Sequence, residues 1–89
     1  MLDKSKKFEN LETFEDYLDE NAVEMDFNEV GEYLEHYGWE FSDSWIDNGG
    51  DSDGEYVLGR SYKNDKGQYI NLYYSNFNPN VGCIEVYYD

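Results

Sequence analysis

The spacing of apolar residues changes once along the chain, at Gly38, and this change constrains the fold more than any other feature of the sequence. Before Gly38 the apolar residues recur at the three- and four-residue intervals of an amphipathic helix. After it they alternate with polar residues, as they do in half-buried strands. A chain of 89 residues has room for one core, so we expect a single domain over residues 1–89.

Two short helices are predicted in the first half of the chain. The first spans residues 10–21, where Asn10 or Thr13 is placed to cap it. The second spans residues 27–37 and stops at Gly38, which takes up the left-handed conformation readily. Their apolar faces consist of Leu11, Phe14 and Leu18 in the first helix and of Phe27, Val30, Leu34 and Tyr37 in the second.

Two further features belong to this helical half. Residues 1–9 precede the first helix and are expected to form a mobile lead-in. Gly31 lies inside the second helix, where glycine costs about 1 kcal/mol relative to alanine. Its presence there predicts close packing against a neighbouring element.

Four strands are predicted in the second half. On the first strand the alternation predicts that Phe41, Asp43 and Trp45 share one face with Trp39. A tight turn at Asn64–Gly67 joins the second and third strands, and a loop over Asn76–Gly82 joins the third and fourth. The predicted strands span residues 39–46, 55–63, 68–75 and 83–88.

These elements predict an α+β fold in which two N-terminal helices pack on one face of a four-stranded antiparallel meander. The predicted core consists of Phe14, Leu18, Phe27, Val30, Leu34, Ile70, Leu72, Ile84 and Val86. The opposite sheet face would carry Tyr69, Tyr73 and Tyr87. Such tyrosines fit either plain cross-strand packing or a contact patch for a partner.

The composition excludes several classes of protein. There are 21 acidic and 6 basic residues, for a formal net charge of −15. Binding to nucleic acid or to an anionic membrane requires positive charge, so neither is expected. Phe, Trp and Tyr make up 19% of the chain, which argues against a disordered acidic segment. No apolar run is long enough to span a membrane, and we expect a cytoplasmic protein, in the host cell if a phage encodes it.

The charge is distributed very unevenly. Residues 8–59 contain 17 acids and no lysine or arginine. An ordinary solvated surface mixes both signs of charge, because opposite charges at helical spacing offset self-repulsion. The six basic residues flank this stretch: Lys4, Lys6 and Lys7 before it and Arg60, Lys63 and Lys66 after it.

No residue pattern indicates an enzyme, a metal site or a cofactor. His36 and Cys83 are the only residues of their types, and we expect a surface histidine and an inert, packed cysteine. The glycines at 49, 50 and 54 lack the spacing of a phosphate-binding loop. The acidic loop over residues 47–55 does not fit the ligand spacing of an EF-hand in either alignment of its glycines.

The acidic residues themselves form the candidate binding surface. Acids three and four residues apart on a helix lie about 5–6 Å from one another, a spacing comparable to that of phosphates on a duplex. A partner whose lysines and arginines bind nucleic acid would attract such a surface. Tyr37, Trp39 and Trp45 are candidates for its apolar centre, although each also fits the core. The predicted partner-binding residues are Glu12, Glu15, Asp16, Asp19, Glu29, Glu32, Glu35, Asp43, Asp47, Asp51 and Asp53.

The small size, the single cysteine and the acidic run from Glu9 to Glu55 resemble the small DNA-mimic inhibitors of phages and mobile elements. These include anti-CRISPR proteins, anti-restriction proteins and uracil-DNA glycosylase inhibitors. The resemblance is one of class and carries no motif that transfers residue by residue. It implies a stoichiometric inhibitor without catalytic activity that blocks the nucleic-acid groove of a host nuclease or another DNA-binding enzyme.

Two other functions fit the same sequence. An immunity protein or antitoxin that neutralises a basic toxin nuclease would carry the same acidic surface. An adaptor domain would instead bind a protein through its tyrosine-rich sheet face, with acidity serving solubility alone. Neutralising Glu29, Glu32 and Glu35 together separates these functions, because only the acidic-surface functions require them.

Overall fold

The computed structural model describes residues 2–48 and 54–88, in which two helices precede a four-stranded antiparallel sheet. Neighbouring strands in the sheet are also neighbours in the chain, so the sheet is a meander and the predicted α+β fold is confirmed. None of the described helices is long and apolar enough to cross a membrane. The elements are α1 (Leu11–Asn21), α2 (Phe27–His36), β1 (Glu40–Asn48), β2 (Val57–Lys63), β3 (Gln68–Ser75) and β4 (Asn78–Tyr88).

Local side-chain chemistry sets the helix ends. The Asn10 side chain accepts a hydrogen bond from the Thr13 backbone amide at 2.9 Å, and the Thr13 hydroxyl accepts one from the Asn10 amide at 3.3 Å. This reciprocal capping box satisfies amides that the helix itself cannot pair. The Asp26 carboxylate accepts from the Asn28 amide at the start of α2. Gly38 follows α2 with a φ of +90°, as predicted for a helix stop.

Both helices pack on one sheet face, where their apolar residues form a single core with alternate residues of the strands. Of the predicted core, Phe27 and Val86 are only partly buried and the other seven residues are buried. The core also contains five residues that the helical and strand periodicities did not select: Ala22, Tyr33, Trp39, Tyr62 and Val81.

The prediction that Phe41, Asp43 and Trp45 share a face of β1 is wrong. A β-bulge interrupts the register between Phe41, which pairs with Tyr62, and Asp43, which pairs with Ser61. The extra residue reverses the alternation, because side chains point to opposite faces at a period of two. Phe41 therefore lies on the helix-covered face, against Tyr62, whereas Asp43 and Trp45 lie on the opposite face.

The predicted loop over Asn76–Gly82 is also wrong. Strand β4 already begins at Asn78, and Ser75 pairs with Asn78 across a tight connection. Pro79 is compatible with this strand because β4 lies at the edge of the sheet, where one side of the backbone needs no ladder partner. The early start brings Val81 into the core, where its backbone pairs with Met25 and Glu24.

The segment before α1 contacts both helices. The hydroxyls of Tyr33 and Tyr37 donate to the backbone carbonyl of Asp3, and Tyr37 also donates to that of Lys6. The Phe8 ring packs edge-on against Tyr37 at a centroid distance of 5.4 Å. Residues 2–8 are thus attached to the helix layer, and the mobility expected of residues 1–9 stays a prediction to be measured.

Candidate functional site

The structure places seven of the predicted partner-binding residues on the helix layer, and we call them the helix acids: Glu12, Glu15, Asp16, Asp19, Glu29, Glu32 and Glu35. Glu15 is half-buried and the other six are exposed. Within the described part of the chain, none of the seven side chains forms a hydrogen bond or an ion pair. Their charges are therefore available to a partner.

The helix acids of α1 repel one another. Partial burial, followed by the charges of Asp19, Asp16 and Glu12, raises the pKa of Glu15 above its ordinary value of 4.5. Partial burial and the charge of Asp16 likewise raise the pKa of Asp19 above 3.8. Like charges held close together disfavour ionisation. The repulsion between these carboxylates therefore lowers the stability of this part of α1.

The basic residues do not offset this repulsion. The Arg60 guanidinium lies on the helix-covered sheet face, 4.4 Å from the ring centre of Phe41 and 5.3 Å from that of Phe27. Its Nε is buried without a hydrogen-bond partner. Arginine stacked on aromatic rings in this way is held by cation–π attraction, so Arg60 contributes to packing on this face of the sheet.

Two of the lysines lie beside the end of α2. A groove of about 770 Å³ beside the end of α2 is lined by Tyr37, Lys63 and Lys66. The lead-in that carries Lys4, Lys6 and Lys7 is attached to the same tyrosine, through the Lys6 carbonyl. The acids Glu40 and Asp65 line the same groove, and the Lys6 ammonium lies 5.4 Å from the ring centre of Tyr17 on α1.

The β1 acids are separated from the helix acids. Asp43 and Asp47 are exposed and lie on the side of the sheet opposite the helices, which we call the outer face. Asp47 accepts a hydrogen bond from the Trp45 indole at 3.3 Å. Asp51 and Asp53 lie outside the described residues. The structure therefore divides the predicted binding set between two faces.

The three aromatic candidates have three different roles. Trp39 is 5% exposed and belongs to the core. Tyr37 attaches the lead-in to α2. Only Trp45 lies half-exposed on the outer face, where it meets Tyr73 edge-on at a centroid distance of 6.0 Å.

The predicted tyrosines lie on the outer face, together with groups that the sequence analysis did not select. Tyr69 and Tyr87 stack at a centroid distance of 5.1 Å. The Tyr73 hydroxyl donates to Glu85 at 2.7 Å, and burial together with this bond raises the Tyr73 pKa to about 12. Glu85 lies outside the acidic run and was therefore not predicted, although the alternation along β4 places it on the same face as Tyr87.

Cys83 and His36 lie on different parts of the molecule, one on β4 and the other at the end of α2. The expectation of a packed cysteine is wrong, because Cys83 is exposed on the outer face, opposite Tyr73. His36 is exposed as expected, with Nε2 2.9 Å from the Lys4 carbonyl oxygen. Among residues 2–48 and 54–88, no three His, Cys, Asp or Glu side chains are grouped so as to hold a metal ion.

Comparison with known proteins adds no relative. A scan against protein-family models gave no match, and searches of the curated proteins and of the solved structures gave none either. Function must therefore be inferred from the surfaces just described.

Proposed function

We propose that the chain is a stoichiometric protein inhibitor that presents its helix acids to the nucleic-acid-binding groove of a basic nuclease or another DNA-binding enzyme. A host defence enzyme of the kind blocked by anti-CRISPR and anti-restriction proteins is the target class that we favour. The observation that carries the proposal is the concentration of carboxylates on α1 and α2 that form no hydrogen bond or ion pair within the described residues, together with the mutual repulsion of those on α1.

Mutual repulsion costs stability, and a solubilising surface does not require it. A protein that needs only solubility can intersperse lysines among its acids, whereas residues 8–59 contain none. Carboxylates that lack internal partners keep their full charge for an external cation. A groove lined with lysine and arginine supplies such cations and desolvates them on contact, which turns long-range attraction into affinity.

The shape of the molecule suits an enclosing groove. Its extents are 44 × 28 × 18 Å, so the helix layer and the outer face lie on opposite sides of a thin slab. A groove that surrounds nucleic acid touches its ligand from more than one side. Acids on both sides of the slab, such as the helix acids and Asp43, are consistent with that kind of enclosure.

The test is capture of a target by the immobilised chain from a lysate of the source cell, followed by assay of the purified captured enzyme. We expect a DNA-binding enzyme that salt elutes and that duplex DNA displaces, because both compete for the same basic groove. The chain should then inhibit DNA binding by that enzyme in a 1:1 ratio.

Two variants with the same change in charge make the test specific. The first combines Glu29→Gln, Glu32→Gln and Glu35→Gln, and should weaken binding at least about tenfold. The second combines Glu9→Gln, Glu24→Gln and Asp65→Asn, three exposed acids that are not among the helix acids, and should bind nearly as well as the unmodified chain. Equal loss in both variants, or capture that duplex DNA does not displace, would overturn the proposal.

A further inference from the structure

The outer face of the sheet is an unpartnered surface. Both helices pack on the other face, and within the described residues no helix or strand covers this one. The strand registers place its side chains in rows that cross all four strands. Three adjacent rows differ in character, and we call the middle row together with its two borders the furrow.

The middle row consists of oxygen acceptors. The strand registers align Asp43, Ser61, Asn71 and Glu85 as successive cross-strand neighbours. Ser61 and Asn71 are 4% and 5% exposed, yet the hydroxyl oxygen of one and the amide oxygen of the other have no hydrogen-bond partner. Buried acceptors are paired in most proteins, so two unpaired ones side by side indicate a missing donor. The carboxylates at the two ends of the row are exposed.

Aromatic rings border this row on both sides. Trp45 and Tyr73 belong to the row on one side, and Tyr69 and Tyr87 belong to the row on the other. Each border is two residues along the strand from the acceptors, a distance of about 7 Å. The Trp45 indole crosses the β2 backbone at Gly59 and packs directly against it. A Cβ at this position would lie 2.5 Å from the indole, so the glycine leaves the space that Trp45 occupies.

We propose that this furrow binds an arginine-bearing segment of a partner protein. A guanidinium has five N–H donors and no acceptor, which matches a row in which every side chain carries an oxygen acceptor and the Asn71 amide nitrogen already donates to Tyr73. Its flat face stacks on tyrosine and tryptophan rings, and carboxylates at the ring edges complete charge-assisted hydrogen bonds. Within the chain, Arg60 is already held between two aromatic rings on the other side of the sheet.

Charge selects a basic protein segment over other occupants. A second copy of the chain would bring another net charge of −15 against the same carboxylates. Nucleic acid and anionic membranes are disfavoured for the same reason. Lysine is a poorer match than arginine, because an ammonium lacks the planar fork and stacks less well on rings.

This inference goes beyond the proposed function and does not depend on it. The furrow lies on the opposite side of the sheet from the helix acids, so either surface could bind without the other. If both act, the enclosing groove of the target would place an arginine-bearing loop in the furrow.

The test uses two synthetic peptides that differ only in the basic residue, an alternating Arg-Gly peptide and its Lys-Gly counterpart. Each is titrated into the full chain at an ionic strength of about 0.15 M, where long-range attraction is screened. Binding is followed by the NMR signals of the Trp45 indole N–H and of the tyrosine rings. We expect saturable shifts at Trp45, Tyr73 and Tyr69, with the arginine peptide binding about tenfold more tightly.

Matched variants locate the site. Combining Asp43→Asn with Glu85→Gln should weaken the arginine peptide about tenfold, while Glu9→Gln with Asp65→Asn removes the same charge from exposed positions outside both proposed surfaces and should leave its affinity unchanged. An unaltered amide spectrum in both confirms that they fold. Equal affinity for the two peptides, shifts confined to the helices, no shift at all, or a dimer formed through this face in sedimentation would each overturn the proposal.

Discussion

Gly31 packs directly against the end of the Tyr62 side chain, which confirms the close packing predicted for it. A Cβ at this position would overlap the Tyr62 hydroxyl and would lie 3.1 Å from the ring carbon that bears it. Tyr62 is 4% exposed and has little freedom to move away. We expect Gly31→Ala to lower the free energy of unfolding by about 1–3 kcal/mol, despite the gain of about 1 kcal/mol in helix propensity. Urea unfolding measures the change.

Gly82→Ala is the control for this prediction. The nearest atom to a Cβ at Gly82 is the Tyr73 carbonyl oxygen at 3.9 Å, an ordinary contact distance. The variant should change the free energy of unfolding by less than about 0.5 kcal/mol. A Gly31→Ala protein as stable as the unmodified chain would show that α2 does not approach the sheet as described.

Tyr37 carries the attachment of the lead-in. Its hydroxyl donates to the carbonyls of Asp3 and Lys6, and its ring packs against Phe8. Tyr37→Phe keeps the ring and removes the donor, which should cost about 1 kcal/mol of stability. Hydrogen exchange at residues 3–8 should become faster, because these amides belong to the segment that the hydroxyl holds.

Tyr69→Phe is the matched control, because the Tyr69 hydroxyl makes no hydrogen bond within the described residues. It should leave exchange at residues 3–8 unchanged. Rapid exchange of this segment in the unmodified chain, with no effect of Tyr37→Phe, would support the mobile lead-in expected from the sequence.

At the scale of elements, a feature can be predicted from the sequence when the residues that determine it lie close together in the chain. The bounds of α1 and α2 depend on caps and on Gly38, which act within a few residues, and the sequence predicted them within one residue. The bulge after Phe41 depends on pairing with β2. No pattern within β1 shows that one residue will be left out of the register, so the face carrying Asp43 and Trp45 was assigned wrongly.

The two candidate surfaces also differ in whether the sequence alone predicts them. Spacing along the helices places the helix acids without knowledge of the fold. The acceptor row of the furrow joins residues from four strands, and only the register makes Ser61 and Asn71 neighbours. The sequence alone therefore does not show that the unpaired side-chain oxygens of Ser61 and Asn71 are neighbours.

One prediction belongs to α1 as an element. The charge of Asp16 contributes to the raised pKa of both Glu15 and Asp19. Asp16→Asn should therefore lower the pKa of both carboxyls toward their ordinary values, as measured by NMR titration of the side-chain carboxyl carbons. Glu20→Gln removes a charge from the same helix that contributes to neither shift, and should change both pKa values less. Equal effects of the two substitutions would mean that the repulsion is diffuse rather than local to these acids.

At the scale of the whole molecule, positive and negative charges are unevenly distributed over the surface. Lys63 and Lys66 lie beside the end of α2, while four of the helix acids lie along α1 and Asp43 lies on the outer face. A polarised charge distribution orients a protein during diffusional approach to a charged partner, which raises the rate of productive encounter. An inhibitor that must occupy a groove before nucleic acid binds there benefits from this orientation.

The same charge predicts an unusual dependence of stability on pH. Glu15 and Asp19 have raised pKa values in the folded state, so the folded state binds protons more readily than the unfolded state. The free energy of unfolding should therefore rise as the pH falls from 7 toward 4.5, the ordinary value of Glu15. Asp3 acts in the opposite sense, because hydrogen bonds from Ser5 lower its pKa, and its contribution is lost only below its ordinary value of 3.8.

Urea unfolding across this pH range, at ionic strengths of about 0.01 and 0.15 M, measures the effect. Added salt screens the repulsion, so stability at pH 7 should increase with ionic strength and the gain on acidification should become smaller. Asp16→Asn should reduce the gain further, because it removes one source of the repulsion at Glu15 and Asp19. A chain that loses stability between pH 7 and pH 5 would have its acids stabilised by internal partners, and the unpaired carboxylates on which the proposed inhibition depends would not exist.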